Sequence, residues 1–383
     1  MMTDTELEEK SAEPLELFFD LVFVFAITQV VSLIVHDLTW QGLFHGVLVL
    51  ALMWWGWGVW TWTTNVVDLE PRIIRAVILL SMIGVFIMAH AVPTAFDGKG
   101  MWVALGYAYV RTLAAAVMWF GTKDDEDASA AFWTYMPVSA FGPVVIVFGA
   151  AVGGDDQQWF WLAGWLLELA SAIAAGRADW KVDAGHFAER HGLIIIVALG
   201  ESIIVVGSTV ADLPPSGSLA LLLGVGLLGA AVLWWAYFDR LEASLEHGLR
   251  EANAHQTGLI ARDVYSVLHF PMIVGVVLYA VALEQAFHHP DDPMEAVVAA
   301  LFVGGLASYL LAGVVAIWRT FREYLYERVI GVSLIAGVAW LWSDGTAREV
   351  VITSIAILVV TISAEYWRFR PRILAYQQAD ASA

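Results

Sequence analysis

Cysteine is absent from this 383-residue chain. That excludes a disulfide framework, a thiolate metal site and a cysteine nucleophile. Charge is scarce too: 15% of residues are charged, where soluble domains carry about a quarter. Basic residues are scarcest, 19 Lys and Arg against 38 Asp and Glu, for a formal net charge of −19. A nucleic-acid partner would call for a basic surface, so none is expected. The segment Met1 to Pro14 is acidic and polar and lacks the basic, apolar and cleavage regions of a signal peptide. The first apolar helix is therefore expected to stay and act as its own insertion signal. Phosphate loops, Ser-His-Asp arrangements and dinucleotide fingerprints are missing. Neither a cofactor nor an enzymatic activity is expected.

What fills the chain is apolar. Hydrophobic residues make up 60% of it and tryptophan 19 positions, and the mean hydropathy is +0.71. Trp is enriched where helices cross water–lipid boundaries, so lipid is the expected solvent and the bilayer the first partner. Segments long enough to span ~30 Å of hydrocarbon lie near 15–35, 42–62, 73–95, 101–120, 131–152, 159–176, 190–210, 217–238, 260–283, 295–318, 325–342 and 349–367. Short polar breaks such as Asp97-Gly98-Lys99-Gly100 and Gly153-Gly154-Asp155-Asp156 carry ordinary turn chemistry. The expectation is an all-α, polytopic transmembrane bundle of about 12 spans. Its parts would be a tail (1–14), a first six-helix half (15–176), a linker (177–189), a second half (190–367) and a tail (368–383).

Basic loops are retained in the cytoplasm. Of the 19 Lys and Arg, sixteen fall on the N-terminal side of such a bundle, including Arg72, Arg75, Arg190 and Arg328. Lys99 and Arg348 fall opposite, and Arg111 lies within a span. Both termini are thus expected in the cytoplasm. An internal duplication is also suggested, since the run from Glu16 aligns without gaps on the run from Glu189, and Trp54-Trp55 recurs as Trp234-Trp235. The halves would be parallel six-helix repeats, an arrangement known in transporters. Chance alignment of apolar helices is the alternative.

Function should reside in the ionisable residues that membranes exclude, each costing roughly 2.5–3.5 kcal/mol at mid-bilayer. By helical rise, Arg111, Glu168, Glu201 and His269 lie roughly 13–17 Å from a helix end. Asp20 is shallower, with Glu16 one turn below on the same face. A structural reading has Arg111 neutralising Glu168, Glu201 or Asp20 in a buried pair. One guanidinium cannot compensate three carboxylates, however, and the excess must be protonated, hydrated or holding a cation. His269 precedes Phe270-Pro271, where proline frees a carbonyl and can kink the helix. His186-Phe-Ala-Glu189-Arg-His191 lacks the spacing of a metal motif and reads as a charged re-entry segment; no metal site is expected. The five Trp between Trp54 and Trp62 wrap around helix two, which suits lipid contact or packing.

Pro14-Leu-Glu16-Leu-Phe-Phe-Asp20-Leu-Val-Phe-Val-Phe-Ala-Ile-Thr-Gln resembles the opening signature of the bacterial low temperature requirement A family. His191-Gly-Leu-Ile-Ile-Ile-Val-Ala-Leu-Gly200-Glu201-Ser202-Ile resembles its second signature. The resemblance implies a multi-pass protein of a prokaryotic plasma membrane, with Glu16, Asp20, His191, Glu201 and Ser202 as motif residues. The family name fixes no biochemical activity. The reading is a bundle that moves a small cation, or a solute coupled to a cation or proton, through a midplane polar site. Asp20 and Glu201 would bind the proton or cation, with Arg111 setting their charge and Glu168 and His269 supporting the path. The alternative is a non-transporting scaffold or lipid-interacting stress factor. A homo-oligomer is compatible with either.

Overall fold

In the computed structural model, residues 11–175, 180, 182–209, 217–342 and 344–380 are described, and among them there is no β-strand. Lys10, Arg177 and Lys181, three of the sixteen basic residues counted on the N-terminal side, lie outside the described residues, as do residues 177–179 and 181 of the expected linker and the stretch 210–216. Among the described residues, nine helical runs are long and apolar enough to cross a membrane. Their exteriors carry exposed Phe18, Leu21, Ile83, Phe86, Phe141 and Phe148. Large apolar side chains displayed along such helices are the surface a bilayer solvates. The protein is all-helical and multi-pass.

The chain folds into two compact units. One comprises Met1–Ala198 and Ser244–Phe270, the other Leu199–Ala243 and Pro271–Ala383. In the first unit, α1 (Pro14–His36) opens on a capping box, with the Glu16 carboxylate accepting from the Glu13 backbone N–H at 3.0 Å. That satisfies a first-turn donor, and Pro14 sits at N1 where its missing N–H costs nothing. Thr39 caps α2 (Trp40–Val66) by accepting from Gly42 N at 3.2 Å. The tryptophans of α2 are mostly inside: Trp54, Trp55, Trp57 and Trp60 are all buried. They pack the unit rather than meet lipid.

Helices α3 (Arg72–Ala91) and α4 (Gly100–Thr122) pack together and are joined through a π-helical turn in which Gly98 adopts φ +100°. Only glycine adopts that conformation cheaply, so the expected break at Asp97-Gly98 is where the chain reverses. The single segment expected near 131–152 is divided into α5 (Glu126–Ser139) and α6 (Phe141–Val152). Pro137 lies inside α5 and cannot donate the bond that would carry the helix smoothly through. α7 (Gln157–Ala175) packs on both. α8 (Ala184–Thr209) starts six residues before the expected 190, capped by Asp183, whose Oδ1 accepts from His186 N at 3.0 Å. α10 (Leu241–Arg250) and α11 (Ala254–Ile260) lead into a π-helical turn over Ala261–Val267. There Leu268 N donates to Asp263 O at 3.1 Å. This turn lies just before Pro271, so the disruption expected from proline takes the form of a wider helical turn.

The second unit contains α9 (Gly217–Phe238), α12 (His269–His288), α13 (Ala296–Phe321), α14 (Tyr326–Leu341) and α15 (Ala347–Asp380). Gly275 and Gly305 let α12 and α13 meet backbone to backbone: a Cβ on Gly275 would stand 2.6 Å from the Gly305 carbonyl oxygen. Small residues at helix crossings are how membrane helices approach closely. Arg328 is buried and grips Glu365 with two hydrogen bonds, Nε to Oε2 at 2.7 Å and Nη2 to Oε1 at 2.9 Å.

Candidate functional site

Two i, i+4 pairs face each other in the first unit. Glu16 and Asp20 stand one turn apart on α1; His186 and Arg190 stand one turn apart on α8. All four are at most 2% exposed. Arg190 Nη1 bonds the Glu16 carboxylate and also reaches Thr64 Oγ1 at 3.3 Å, while Nη2 donates to Asp20 Oδ1 at 2.7 Å. Trp57 Nε1 donates to the same Asp20 oxygen at 2.8 Å, and the Arg190 guanidinium lies 6.0 Å from the Trp57 ring. Asp20 Oδ2 is buried and accepts no hydrogen bond.

The hydrogen-bond network assigns the tautomer of His186. Asn65 Oδ1 accepts from Asp183 N at 2.9 Å, which turns the amide nitrogen toward the Asp183 carbonyl at 3.0 Å and His186 Nδ1 at 3.1 Å. An amide N–H can only donate, so Nδ1 is the acceptor and the ring proton sits on Nε2. That proton is donated to Glu16 Oε2 at 2.9 Å. His186 is therefore neutral. With Glu16 and Asp20 ionised, the cluster holds two carboxylates against one guanidinium.

Asn65 and Asp183 also line an open cavity of about 860 Å³ at the ends of α2, α4 and α10 and the starts of α5 and α8. Asp125, Asp127, Asp183 and Arg250 give it an acidic balance. A continuous series thus leads from the cavity through Asn65, His186 and Glu16 to Arg190 and Asp20.

His191 lies beside this cluster. Its Nδ1 donates to the Phe187 carbonyl at 2.8 Å, and its ring stands 5.0 Å from Trp57, 5.0 Å from Tyr265 and 5.2 Å from His269. His269 Nδ1 is 2.9 Å from the Val264 carbonyl at the π-helical turn. Histidine and aromatic rings therefore form one wall against Trp57.

A second polar cluster sits in the same unit. Arg111 Nε donates to Glu168 Oε1 at 3.0 Å and its Nη2 bonds Glu168 Oε2. Tyr107 OH donates to Glu168 Oε1 at 3.0 Å and Ser139 Oγ to Oε2 at 2.8 Å. Glu168 fits because residue 142 is glycine; a Cβ there would stand 2.5 Å from Glu168 Cγ. Glu201 and Ser202 are buried in the second unit, where Ser202 Oγ donates to the Leu199 carbonyl at 2.6 Å.

The expectation that Arg111 pairs with a carboxylate holds for Glu168. Its expected role beside Asp20 is filled instead by Arg190, which the sequence places among loop charges, as it does Arg328. Both are buried in ion pairs. The helical spacing of His186 and Arg190, matching that of Glu16 and Asp20, is the signal that would have found them. The re-entry reading of 186–191 is corrected accordingly: His186 and Arg190 face the unit interior, while exposed Glu189 accepts from Ala12 N at 2.8 Å. Among the described residues no group of three or more His, Asp or Glu is placed to hold a metal ion.

Fold and site together define a multi-pass membrane protein whose first helix is tied to the start of α8 by buried charge. The chain belongs to the bacterial low temperature requirement A (LtrA) family, whose description matches residues 11–364. It is 27% identical over 334 residues to an uncharacterized protein of Rhizobium meliloti (strain 1021), covering 84% of this chain and 80% of that one. No solved structure matches.

Proposed function

We propose that this protein carries protons, or a solute coupled to them, across a bacterial plasma membrane, with Asp20 as the group that takes up and releases the proton. The observation that carries this reading is the buried Asp20 Oδ2, which accepts no hydrogen bond in a cluster with one carboxylate more than its single guanidinium. Protonating Oδ2 neutralises the excess and weakens the hold of Arg190; releasing the proton restores the pair. Ion pairs within membranes recur along proton and ion pathways. The acidic cavity lies against the cluster at Asn65 and Asp183, and its acidic mouth raises the local proton concentration. The proton form is favoured over cation coordination because Arg190 already fills the space between the two carboxylates. Glu201, with Ser202 beside it, is the second proposed carrier group, and no catalytic step is assigned.

The finer topology belongs to the same proposal. Twelve crossings, with α3 and α4 as two and with α7 and the 16-residue α14 included, would place the basic loops and both termini in the cytoplasm, and with them the acidic cavity. The scaffold reading is favoured by one observation: the bidentate Arg328–Glu365 pair resembles a static pin that sets helix register.

The experiment is proton flux into proteoliposomes under an imposed pH gradient, with and without a panel of small solutes. Flux that is lost in Asp20→Asn supports the proposal. Protein inserted in uniform orientation that moves no protons under any gradient or solute favours the scaffold.

A further inference from the structure

Three tryptophans of α2 surround a glycine. Trp54, Trp55 and Trp62 stand four before, three before and four after Gly58, the spacings that share one helix face. A Cβ on Gly46 of the same helix would stand 2.2 Å from Ile34 Cγ1, whereas one on Gly58 would meet no atom within 4 Å. The open space belongs to a cavity of about 70 Å³ within the first unit, lined also by Trp180, Met118 of α4, Tyr135 of α5, Ala172 of α7 and Gly258 of α11. An engineered apolar cavity of about 150 Å³ takes benzene. One of half that size takes a few carbon atoms.

The walls are held open from behind. Trp54 Nε1 donates to the Ser266 carbonyl at 2.7 Å, Trp62 Nε1 to Ser266 Oγ at 2.9 Å, and Trp180 Nε1 to the Ala175 carbonyl at 3.0 Å. Indole has a single donor, so these three rings spend theirs on the protein and offer carbon to the cavity. The polar groups in the lining are engaged as well. Tyr135 OH accepts from Arg111 at 2.6 Å, and Arg262 donates from Nε to Asp263 Oδ1 at 2.7 Å and from Nη1 to the Ile173 carbonyl at 3.0 Å. Aromatic walls alone would suit an organic cation. Here, among the described residues, Arg262 lines the cavity and no carboxylate does, which opposes a cation; Asp263 balances Arg262, so no anion is called for. A neutral, apolar occupant fits.

We propose that this indole-walled cavity binds a neutral apolar group of a few carbon atoms, either the end of a hydrocarbon chain or a free small apolar molecule. The site involves no exchange at Asp20 and does not rest on proton carriage.

The test uses the full chain labelled with 5-fluorotryptophan, in phospholipid nanodiscs, with xenon as the apolar probe. Fluorine NMR signals of Trp62 and Trp180 are assigned by their loss in Trp62→Phe and Trp180→Phe. Both signals are expected to shift with xenon pressure and saturate, while those of exposed Trp102, Trp133 and Trp159 drift linearly as xenon dissolves in the lipid. Gly58→Leu, whose Cβ has room, should fill the cavity and cut the saturable shift about tenfold. Ala172→Leu, a filler from the opposite helix, should do the same. Methylammonium, a cation of similar size, should leave both signals in place. Xenon binding several-fold tighter in diphytanoyl nanodiscs, whose methyl-branched chains are too thick to enter, than in straight-chain ones identifies a lipid chain end as the occupant; equal affinity identifies a free small molecule. Trp62 and Trp180 signals that only drift linearly, or a saturable shift that survives both fillers, would overturn the proposal. A saturable shift with methylammonium would also overturn it, by making the cavity a cation site.

Discussion

Removing Glu168 leaves Arg111 as an uncompensated charge inside the bundle. Glu168 is fully buried, and Arg111 is 6% exposed. In Glu168→Ala the guanidinium loses both carboxylate bonds and keeps only Tyr135 and Ser139, while Tyr107 loses its acceptor. Breaking one side of a buried pair costs about 3–5 kcal/mol. From mid-helix the side chain is too short to reach the headgroups by snorkelling. Reversible unfolding in mixed micelles of rising dodecyl sulfate content would read that loss as an earlier midpoint. The double variant Arg111→Met/Glu168→Leu should recover most of it, because an apolar pair removes the charge together with its partner. A Glu168→Ala protein that unfolds within about 0.5 kcal/mol of the parent, as surface substitutions do, would refute the claim that this pair is dry and structural.

Further outcomes follow from neighbouring contacts. Gly142→Leu pushes a side chain into Glu168 and should destabilise by about 1–3 kcal/mol, an overpacking cost, in the same unfolding assay. Arg328→Ala strands Glu365 and should cost about 3–5 kcal/mol, whereas Arg328→Met with Glu365→Leu should be close to neutral. Cysteine scanning, easy in a chain with no native cysteine, should label residues near 98, 155 and 291 from outside and residues near 124, 248 and 323 from inside; 248 and 291 on one side would remove the twelve-crossing topology. Glu201→Gln should insert normally and abolish pH-dependent flux, while exposed Glu349→Gln should leave it unchanged; full flux in Glu201→Gln would return Glu201 to the structural polar residues.

The helices were legible because apolar length is a strong signal, and Arg111 with Glu168 was legible because each lies deep within an apolar run. Arg190 and Arg328 were not, for a physical reason. Hydropathy trims a helix at its first charge, yet α8 begins six residues earlier, at Ala184, and carries His186 and Arg190 inward. A charge at a helix end reads as a loop residue until its partner is known. Arg111 is spent on Glu168, and Arg190 is a second buried cation that serves both Glu16 and Asp20; two carboxylates on one guanidinium mark where the candidate site falls. The division of 131–152 was foreseeable from Pro137, whereas the π-helical turn before Pro271 was not, since hydropathy does not register a change of helical pitch.

The proposed uptake and release of a proton at Asp20 can be measured without knowing whether a solute moves with it. Infrared difference spectra of the reconstituted protein, recorded across a pH series, report a protonated carboxyl by its C=O stretch. The expected result is a buried carboxylic acid band that titrates, disappears in Asp20→Asn and survives in Glu168→Gln. A spectrum with no titrating buried acid, or one in which Asp20→Asn leaves every band in place, would contradict it.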